Sequence, residues 1–371
     1  MRLIVSAGAT GGGINPALAV LQALGEKPES VLWIGSVGGM EADLVNRAGI
    51  PYRAIPAGGV HGVGLKVVWG LVQLTRGYFA ARRLIREFQP EVLFFTGGYV
   101  AIPTGLAGRK IPTLLCLPDI EPGLALKVLS RFADHIAVPA EESKAYFPRR
   151  KRITVAGYPT RPDLNVWDRQ DAFDAFGLSP EKPTLMVTGG SLGARSINRA
   201  LVSVLLDLLP EMQVVHLTGK LTWPEVEAAY KDLPAELSVN YRPFPYLYER
   251  MGAAFTVADL VVSRAGASIL GELPIFGVPA VLVPYPYAWR YQKVNADYLV
   301  RQNAAVVLRD EDLEMDLLAV VQELMHNKPK RSQMQSSMQS LANPQSSLSI
   351  ASMLRELASQ YPRPKRQGGS P

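Results

Sequence analysis

Two glycine-rich loops have the composition of phosphate-binding loops, and each directly follows a short apolar, strand-like run. The first loop, residues 8–13 (GATGGG), follows residues 3–5, and the second, residues 189–193 (GGSLG), follows residues 185–187. Helix-like segments come next, at residues 16–24 and 196–209. Free backbone N–H groups and the positive end of a helix dipole attract anions at such a junction. The pair of loops therefore predicts two halves with a phosphorylated ligand between them.

A polar block in the second half follows another apolar run and has the residue types of a nucleotide site. It includes residues 263–268 (SRAGAS), and Glu272 lies four positions after Ser268 on the same helical face. A carboxylate there can accept hydrogen bonds from a ribose diol, while loop N–H groups contact phosphate. Spacing alone favours a simpler role, in which Ser268 caps the helix and Glu272 stabilises its dipole. Further on, Gln292 opens a helix after the loop at residues 284–287 (PYPY) and is a candidate lining residue.

Length and composition favour a two-domain globular protein with an anionic partner. The chain has 371 residues, of which 48% are hydrophobic and 19% charged, and its formal net charge is +6. Nucleotides, an anionic membrane and nucleic acid all fit that charge, as does a solvated basic surface. Nucleic acid is disfavoured because the basic residues are scattered and not interleaved with aromatics. The single cysteine, Cys116, excludes an internal disulfide and fits a reducing compartment.

Strand-like and helix-like runs alternate along both halves, which predicts an α/β protein with two Rossmann-like domains whose parallel sheets face each other across a cleft. Residues 157–162 (GYPTRP) interrupt the alternation and read as a hinge. One strand is predicted at residues 238–241. The predicted segments are an N-terminal domain at 1–158, a hinge at 159–163, a C-terminal domain at 164–345, a final helix at 346–360 and a disordered tail at 361–371.

Several motifs, in order from residue 3 to about residue 300, resemble the MurG family. That family comprises bacterial transferases that add N-acetylglucosamine to the lipid-linked muramoyl-peptide precursor of peptidoglycan. The matching motifs are residues 8–12, residues 97–100 (GGYV) with Pro103, residues 189–195 (GGSLGAR) with Asn198, residues 258–267, residues 277–280 (GVPA), and Gln292 with residues 295–296.

The resemblance implies the GT-B architecture, with the uridine sugar nucleotide on the C-terminal domain and the lipid-linked acceptor on the N-terminal domain. Several positions are then expected to bind the donor diphosphate: Gly190, Ser191, Gly193 and Arg161. Others would line the rest of the donor site: Arg264, Gly266, Ala267, Glu272 at the ribose and Gln292 at the sugar. The first loop would face the sugar and the acceptor diphosphate through Thr10, Gly11 and Gly12.

Two departures from the family concern the catalytic base. The family continues its first glycine loop with a histidine proposed to be catalytic, and this chain has Gly13 there. Residues 116–119 (CLPD) replace the family's His-Glu-Gln-Asn block, so Asp119 stands where a donor-contacting asparagine is expected. Asp119 and Glu121 are therefore the candidate bases. Alternatively, Asp119 caps the following helix or accepts a hydrogen bond from the sugar.

The remaining expectations concern the membrane and metals. Residues 60–88 combine apolar and arginine residues, as a domain helix with a membrane-facing rim would. Because the resembling family docks on the inner face of the cytoplasmic membrane, a cytoplasmic, peripheral location on that anionic surface is expected. Residues 310–312 (DED) resemble a metal-binding D-x-D motif, but acidic residues at a helix start are commoner, so neither metal nor cofactor is expected.

The favoured function is inverting transfer of N-acetylglucosamine from UDP-N-acetylglucosamine to the polyprenyl-diphosphate-linked muramoyl-peptide (lipid I), which gives lipid II. One alternative is a GT-B transferase with another lipid or small-molecule acceptor. A second is a non-catalytic protein that binds the UDP-sugar or the lipid intermediate, and Gly13 makes that alternative plausible. A third is a sugar-nucleotide epimerase on the same fold.

Overall fold

A computed structural model describes residues 1–8, 11–27, 30–39, 41–58, 65–190, 193–287 and 290–360, without the side chains of 11 and 65–68. The chain divides into two compact units. One unit comprises Met1–Arg161 together with the C-terminal segment from Gln345, and the other comprises Pro162–Pro344. Within the described ranges, no helix is long and apolar enough to cross a bilayer.

The described part of the first unit contains a seven-stranded sheet in the order β3-β2-β1-β4-β5-β6-β7, with every pair parallel. Its strands are β1 (Leu3–Ser6), β2 (Val31–Ser36), β3 (Tyr52–Ile55), β4 (Val92–Phe95), β5 (Thr113–Cys116), β6 (His135–Val138) and β7 (Ile153–Val155). The helices between them are α1 (Gly11–Leu24), α2 (Glu41–Arg47), α3 (Leu65–Phe88), α4 (Ala101–Ala107) and α5 (Leu124–Leu129). Central strands such as β1 and β4 are buried along their whole length, as strands covered by helices on both faces must be.

The second unit repeats this plan, with six described parallel strands in the order β10-β9-β8-β11-β12-β13. These strands are β8 (Thr184–Thr188), β9 (Gln213–Leu217), β10 (Tyr241–Phe244), β11 (Leu260–Ser263), β12 (Ala280–Leu282) and β13 (Ala305–Val307). The helices are α6 (Arg169–Phe176), α7 (Arg195–Ser203), α8 (Leu205–Leu208), α9 (Trp223–Lys231), α10 (Ala235–Ser238), α11 (Met251–Val257), α12 (Ile269–Phe276), α13 (Tyr291–Arg301), α14 (Leu313–His326) and α15 (Lys328–Ser340).

Each sheet has a switch point, where strand order reverses direction, and the glycine loops lie there. The neighbouring strands are β1 and β4 in the first sheet and β8 and β11 in the second. Ligands of open α/β sheets bind outside the carboxyl ends of the strands at such a point. The predicted pair of parallel-sheet, Rossmann-like units is confirmed.

The chain ends by returning to the first unit. The last helix, α16 (Ser346–Ser359), places Ile350 and Leu354 in the same buried cluster as Val20 of α1. Arg355 Nη2 on this helix also donates to the carbonyl of Leu24 at 2.6 Å. Helix α16 is therefore part of the first unit's core, although it follows the second unit in sequence. The expected disordered tail at 361–371 lies outside the described residues.

The strand predicted at residues 238–241 is wrong in its bounds. Residues Ala235–Ser238 form α10, and the strand begins at Tyr241 and continues to Phe244. This strand contains Pro243, which has no N–H to donate to a ladder. It lies at the edge of the sheet, where a strand forms ladder hydrogen bonds with a neighbouring strand on one side only. Edge position thus makes a proline-containing strand possible.

Helix α1 begins at Gly11, five residues before the predicted start at Pro16. A proline inside a helix leaves the carbonyl four residues earlier without its usual donor. That carbonyl belongs to Gly12, and the buried hydroxyl of Tyr158 donates to it at 3.4 Å. Thr96 Oγ1 donates to the next carbonyl, of Gly13, at 2.6 Å. Side chains from other elements therefore hold the first turn of α1 in place.

Candidate functional site

The two described ends of the second glycine loop are hydrogen-bonded to each other, and one of them packs tightly on the backbone beneath it. Gly190 and Gly193 have φ angles of +82° and +83°, a region that favours glycine. The N–H of Gly193 donates to the carbonyl of Gly190 at 3.0 Å, which closes the turn. A Cβ atom on Gly193 would lie 2.1 Å from the carbonyl oxygen of Thr218. Ser191, the expected diphosphate ligand in this loop, lies outside the described residues.

A buried polar network holds the Thr218 carbonyl on which Gly193 rests. Asn198 Nδ2, on α7, donates to that carbonyl at 2.8 Å and to Thr222 Oγ1 at 2.7 Å. Thr222 Oγ1 donates to the same carbonyl at 2.6 Å. His216 on β9 bonds Asn198 Oδ1 through Nε2 at 3.0 Å and the Tyr241 hydroxyl through Nδ1 at 2.6 Å. Asn198 and Thr222 therefore hold one carbonyl oxygen under the loop, and His216 in turn holds Asn198.

The hydrogen bonds assign the protons of this network. Because the amide nitrogen of Asn198 serves two acceptors, its oxygen must accept from His216, whose Nε2 therefore carries the hydrogen. The Tyr241 hydroxyl then donates to Nδ1. His216 is fully buried, and this burial lowers its pKa from 6.5 to about 3. A neutral imidazole thus supports the loop across the physiological pH range.

His216 should make the folded protein acid-sensitive. Between pH 6.5 and 3 the unfolded chain protonates this imidazole and the folded chain does not, so the free energy of unfolding falls as pH falls through that window. The expected slope is at most about 1.4 kcal/mol per pH unit. Thermal unfolding between pH 8 and pH 5 measures it. The variant His216→Gln should show a flatter pH dependence, and an unchanged dependence would contradict this assignment.

The expected donor-site residue Arg264 is mostly buried and points into the protein. Its side chain is 10% exposed and lies just after β11. Nη1 donates to Asp310 Oδ1 at 2.5 Å and to the carbonyl of Val283 at 3.2 Å, and Nη2 donates to Ser196 Oγ at 2.7 Å. The guanidinium also lies 5.1 Å from the ring centroid of Tyr285. Arg264 therefore connects the segments that follow β8, β11, β12 and β13.

Other expected donor-site residues follow β11 or β12, close in the chain to Arg264. Among the described residues, its sequence neighbours aside, none lies within 4 Å of where a Cβ on Gly266 would project, and Ala267 beside it is buried. Glu272 is half-buried in the first turn of α12. Gln292 lies in the first turn of α13, and its Oε1 accepts from the N–H of Tyr285 at 2.9 Å. These residues all follow the carboxyl ends of β11 and β12.

The D-x-D sequence at residues 310–312 is engaged by arginines. Asp310 accepts hydrogen bonds from Arg264 and from Ser196 Oγ, the latter at 2.7 Å. Asp312 Oδ2 accepts from Arg309 Nε at 2.5 Å, and Glu311 pairs with the same arginine at 2.8 Å. Among the residues that the structure describes, no three His, Cys, Asp or Glu side chains converge as a metal site would require.

In the first unit, the loops after β1 and β4 are in contact. Gly97 and Gly98 have φ angles of +133° and +85°, and a Cβ on Gly98 would lie 3.0 Å from the backbone of Gly8. Gly11 and Gly12 form the start of α1, whereas Thr10 lies outside the described residues. The sequence motif containing Gly97 and Gly98 is thus a packing partner of the first glycine loop.

Glu41 is a fully buried carboxylate beside Gly8 of the first loop, and it is not among the residues predicted from the sequence. Its Oε1 accepts from the N–H of Ser36 at 2.6 Å and from Ser36 Oγ at 2.7 Å. The same oxygen would lie 3.1 Å from a Cβ on Gly8. Glu41 lies in the first turn of α2, where an acidic residue is expected for the helix dipole alone. Its burial had no local sequence signal.

The two candidate bases differ in their surroundings. Glu121 is 1% exposed, and its Oε1 is paired with Lys127 Nζ at 2.7 Å. Asp119, two residues earlier, is half-buried. Both follow β5, at the carboxyl edge of the sheet. Arg161, expected at the donor diphosphate, is half-buried and is the last residue of the first unit before the chain enters the second.

Comparison with known proteins decides the family. The family model for the glycosyltransferase family 28 N-terminal domain matches residues 3–138, and the model for its C-terminal domain matches residues 184–349. A curated Roseiflexus sp. protein is 38% identical over 96% of this chain and 95% of its own length. One from Desulforamulus reducens is 39% identical over 93% and 95%, respectively. Both are named UDP-N-acetylglucosamine--N-acetylmuramyl-(pentapeptide) pyrophosphoryl-undecaprenol N-acetylglucosamine transferase.

This chain belongs to the MurG family. The resemblance seen in the sequence motifs is therefore confirmed, as is the prediction of a glycosyltransferase. The crystal structure of Acinetobacter baumannii MurG is similar, with a TM-score of 0.75 and 27% identity over 95% of this chain and 99% of that one. A UDP-GlcNAc 2-epimerase from Neisseria meningitidis shares only the fold, at a TM-score of 0.67 and 14% identity over 96% of this chain and all of that one.

Proposed function

We propose that this MurG-family chain transfers N-acetylglucosamine from UDP-N-acetylglucosamine to the lipid-linked N-acetylmuramoyl-peptide, with inversion at the anomeric carbon. The product is the disaccharide-peptide lipid used in peptidoglycan synthesis. The observation that carries this function is the near-full-length similarity to transferases named for this reaction, 38% and 39% identical.

We assign the groups that a nucleotide donor requires mainly to the second unit. We assign the donor diphosphate to the turn of Gly190 and Gly193 and to the start of α7, because N–H groups and the helix dipole stabilise the charge of the departing UDP. Ser191 and Arg161 are assigned to the same diphosphate. Glu272 is assigned to the ribose hydroxyls and Gln292 to the sugar. The acceptor diphosphate is assigned to the first glycine loop, with Thr10, Gly11 and Gly12.

For the base, the surroundings favour Asp119 over Glu121. Glu121 is 1% exposed and ion-paired with Lys127, so it cannot reach an acceptor hydroxyl. Separating the pair would leave a buried charge uncompensated, which is strongly destabilising. Asp119 is half-buried and follows the same strand. In the proposed step, the acceptor hydroxyl attacks the anomeric carbon as its proton passes to Asp119. The bond from that carbon to the UDP oxygen breaks, and UDP leaves with the electron pair.

The test is to incubate the protein with UDP-N-acetylglucosamine and a lipid-linked muramoyl-peptide, then measure UDP release and the lipid product. Equal amounts of UDP and disaccharide lipid are expected. UDP release only with a different acceptor would favour the alternative transferase. Tight UDP-N-acetylglucosamine binding without release would favour the non-catalytic protein, and conversion of the nucleotide sugar to its C2 epimer would identify an epimerase.

Helix α3 carries the surface that we assign to the membrane, which would make the protein peripheral on the anionic inner face of the cytoplasmic membrane. One stripe of this helix, spaced by three or four residues, is exposed, and we call it the α3 stripe: Trp69, Val72, Arg76, Phe79, Arg83 and Arg86. Trp69 and Phe79 are each 61% exposed. On the opposite face Ala81 is buried, and a Cβ on Gly77 would lie 2.2 Å from the Pro56 carbonyl. Exposed aromatics among arginines suit an anionic lipid surface.

Replacing the aromatics of the α3 stripe should weaken membrane binding. The double variant Trp69→Ser/Phe79→Ser is expected to bind vesicles of anionic phospholipid about 100-fold more weakly, about tenfold for each side chain. Vesicle sedimentation at low and high salt measures this, and binding of the unchanged protein should fall as salt rises. The matched control is Leu206→Ser, at a leucine 57% exposed on the second unit. Equal loss in the control would contradict the assignment.

A further inference from the structure

Asp310 is the carboxylate partner of a mostly buried arginine. The Asp310 and Arg264 side chains are 23% and 10% exposed, and Asp310 Oδ1 accepts from both Arg264 Nη1 and Ser196 Oγ. Arg264 Nη2 closes the triangle by donating to Ser196 Oγ. A guanidinium with several bonds in a rigid fork has little freedom to rotate. Asp310 and Ser196 therefore together restrict where the Arg264 guanidinium lies.

Arg264 contacts the proline-rich loop at residues 284–287 and the residue just before it. The guanidinium lies 5.1 Å from the ring centroid of Tyr285, within cation–π range, and donates to the carbonyl of Val283, two residues before that ring. Two contacts thus hold the start of the loop from one side. The backbone N–H of Tyr285 in turn donates to Gln292 Oε1 at 2.9 Å. A continuous path of contacts runs from Asp310 to the side chain of Gln292.

This path orients the amide of Gln292. The Tyr285 N–H needs an acceptor, and the flipped amide would place an NH₂ group against it, so Oε1 must face Tyr285. The amide nitrogen is then the end that is turned toward other partners. A fixed NH₂ donor is suited to the lone pairs of a sugar hydroxyl, whereas a freely rotating amide would lose entropy on binding.

We propose that Asp310 is a positioning residue for recognition of the donor sugar, acting through Arg264 and Tyr285 on the amide of Gln292. The inference rests on the proposed function, because it takes the donor to be UDP-N-acetylglucosamine and Gln292 to contact its sugar. It also gives a role to the first residue of the D-x-D sequence, as a partner of an arginine.

Calorimetric titration of the full chain with UDP-N-acetylglucosamine and, separately, with UDP tests this role. Asp310→Ala should weaken UDP-N-acetylglucosamine binding about tenfold and UDP binding by less than about twofold, since the path ends at the sugar. Tyr285→Leu, at a ring 44% exposed, should give the same selective loss without burying a new group. The matched control is Asp312→Ala, whose carboxylate pairs with Arg309 and should leave both affinities unchanged.

A double-mutant cycle with Gln292→Ala separates action through Gln292 from general loosening. If the path is correct, Asp310→Ala adds less than about twofold to the effect of Gln292→Ala. The inference would be overturned if the effects of Asp310→Ala and Gln292→Ala on binding were independent. It would also be overturned if Asp310→Ala weakened the binding of both ligands equally, or of neither. Failure of the unchanged protein to bind UDP-N-acetylglucosamine would instead overturn the proposed function, and the inference with it.

Discussion

Gly193→Ala is expected to lower the affinity for UDP-N-acetylglucosamine about 100-fold. The residue has a φ of +83°, and a Cβ there would lie 2.1 Å from the Thr218 carbonyl oxygen. That oxygen is held by hydrogen bonds from Asn198 and Thr222, so it cannot retreat without breaking them. The glycine loop must move instead, and the N–H groups that we assign to the diphosphate move with it. Calorimetric titration with the nucleotide sugar measures the loss.

Gly190→Ala is the matched variant, because it has nearly the same backbone strain without the collision. Gly190 has a φ of +82°, and in the described part of the chain, its two sequence neighbours aside, nothing lies within 4 Å of the position of its Cβ. Both variants should lose about 1–2 kcal/mol of stability from the left-handed backbone. Only Gly193→Ala should also displace the loop, so its loss of donor affinity should be much the larger. Equal losses in the two variants would mean that strain alone, and not contact with Thr218, governs the site.

Asp119→Asn should lower kcat by a factor of about 10² to 10⁴, the usual contribution of a general base. The amide keeps the volume of the carboxylate but cannot accept the proton of the acceptor hydroxyl. We expect the KM for UDP-N-acetylglucosamine to stay within about threefold, since binding of the donor does not need a base. Steady-state UDP release at saturating acceptor measures both quantities. Full turnover by this variant would remove Asp119 from the mechanism.

Glu121→Gln serves as the contrasting variant. Its carboxylate is 1% exposed and pairs with Lys127, whose side chain is 39% exposed. Loss of the negative charge leaves a half-exposed ammonium without its partner, which should lower the thermal unfolding temperature by a few degrees. The pH dependence of kcat should keep its shape, because Glu121 is expected to support the loop and not to move the proton. A changed acid limb would instead make Glu121 the base.

Much of this protein could be predicted from local sequence patterns. Apolar runs predict the strands and their order along the chain, and glycine motifs predict the two loops that the structure places at switch points, because each signal spans only a few residues. The strand predicted at residues 238–241 lies too early in the chain, and the observed strand includes Pro243. Proline lowers the expectation of a strand, and only position at the sheet edge makes it acceptable.

Side-chain partners distant in sequence could not be predicted in this way. Arg264 is expected in the donor site, but its hydrogen bonds with Ser196 and Asp310, 68 and 46 positions away, have no local sequence signal. The burial of Glu41 beside Gly8 of the first glycine loop likewise has no local sequence signal.

By itself, the sequence determined the family, the two parallel-sheet units and the identity of the glycine loops, because short-range spacing and motif order encode these features. Only the tertiary structure decided which carboxylate after β5 is accessible, that α16 packs on the first unit, and that Asp310 reaches Gln292 through an arginine. Those features depend on which strand ends meet at the edge of a sheet. They join residues that are far apart in sequence, so the short-range spacing of apolar residues does not encode their burial or charge pairing.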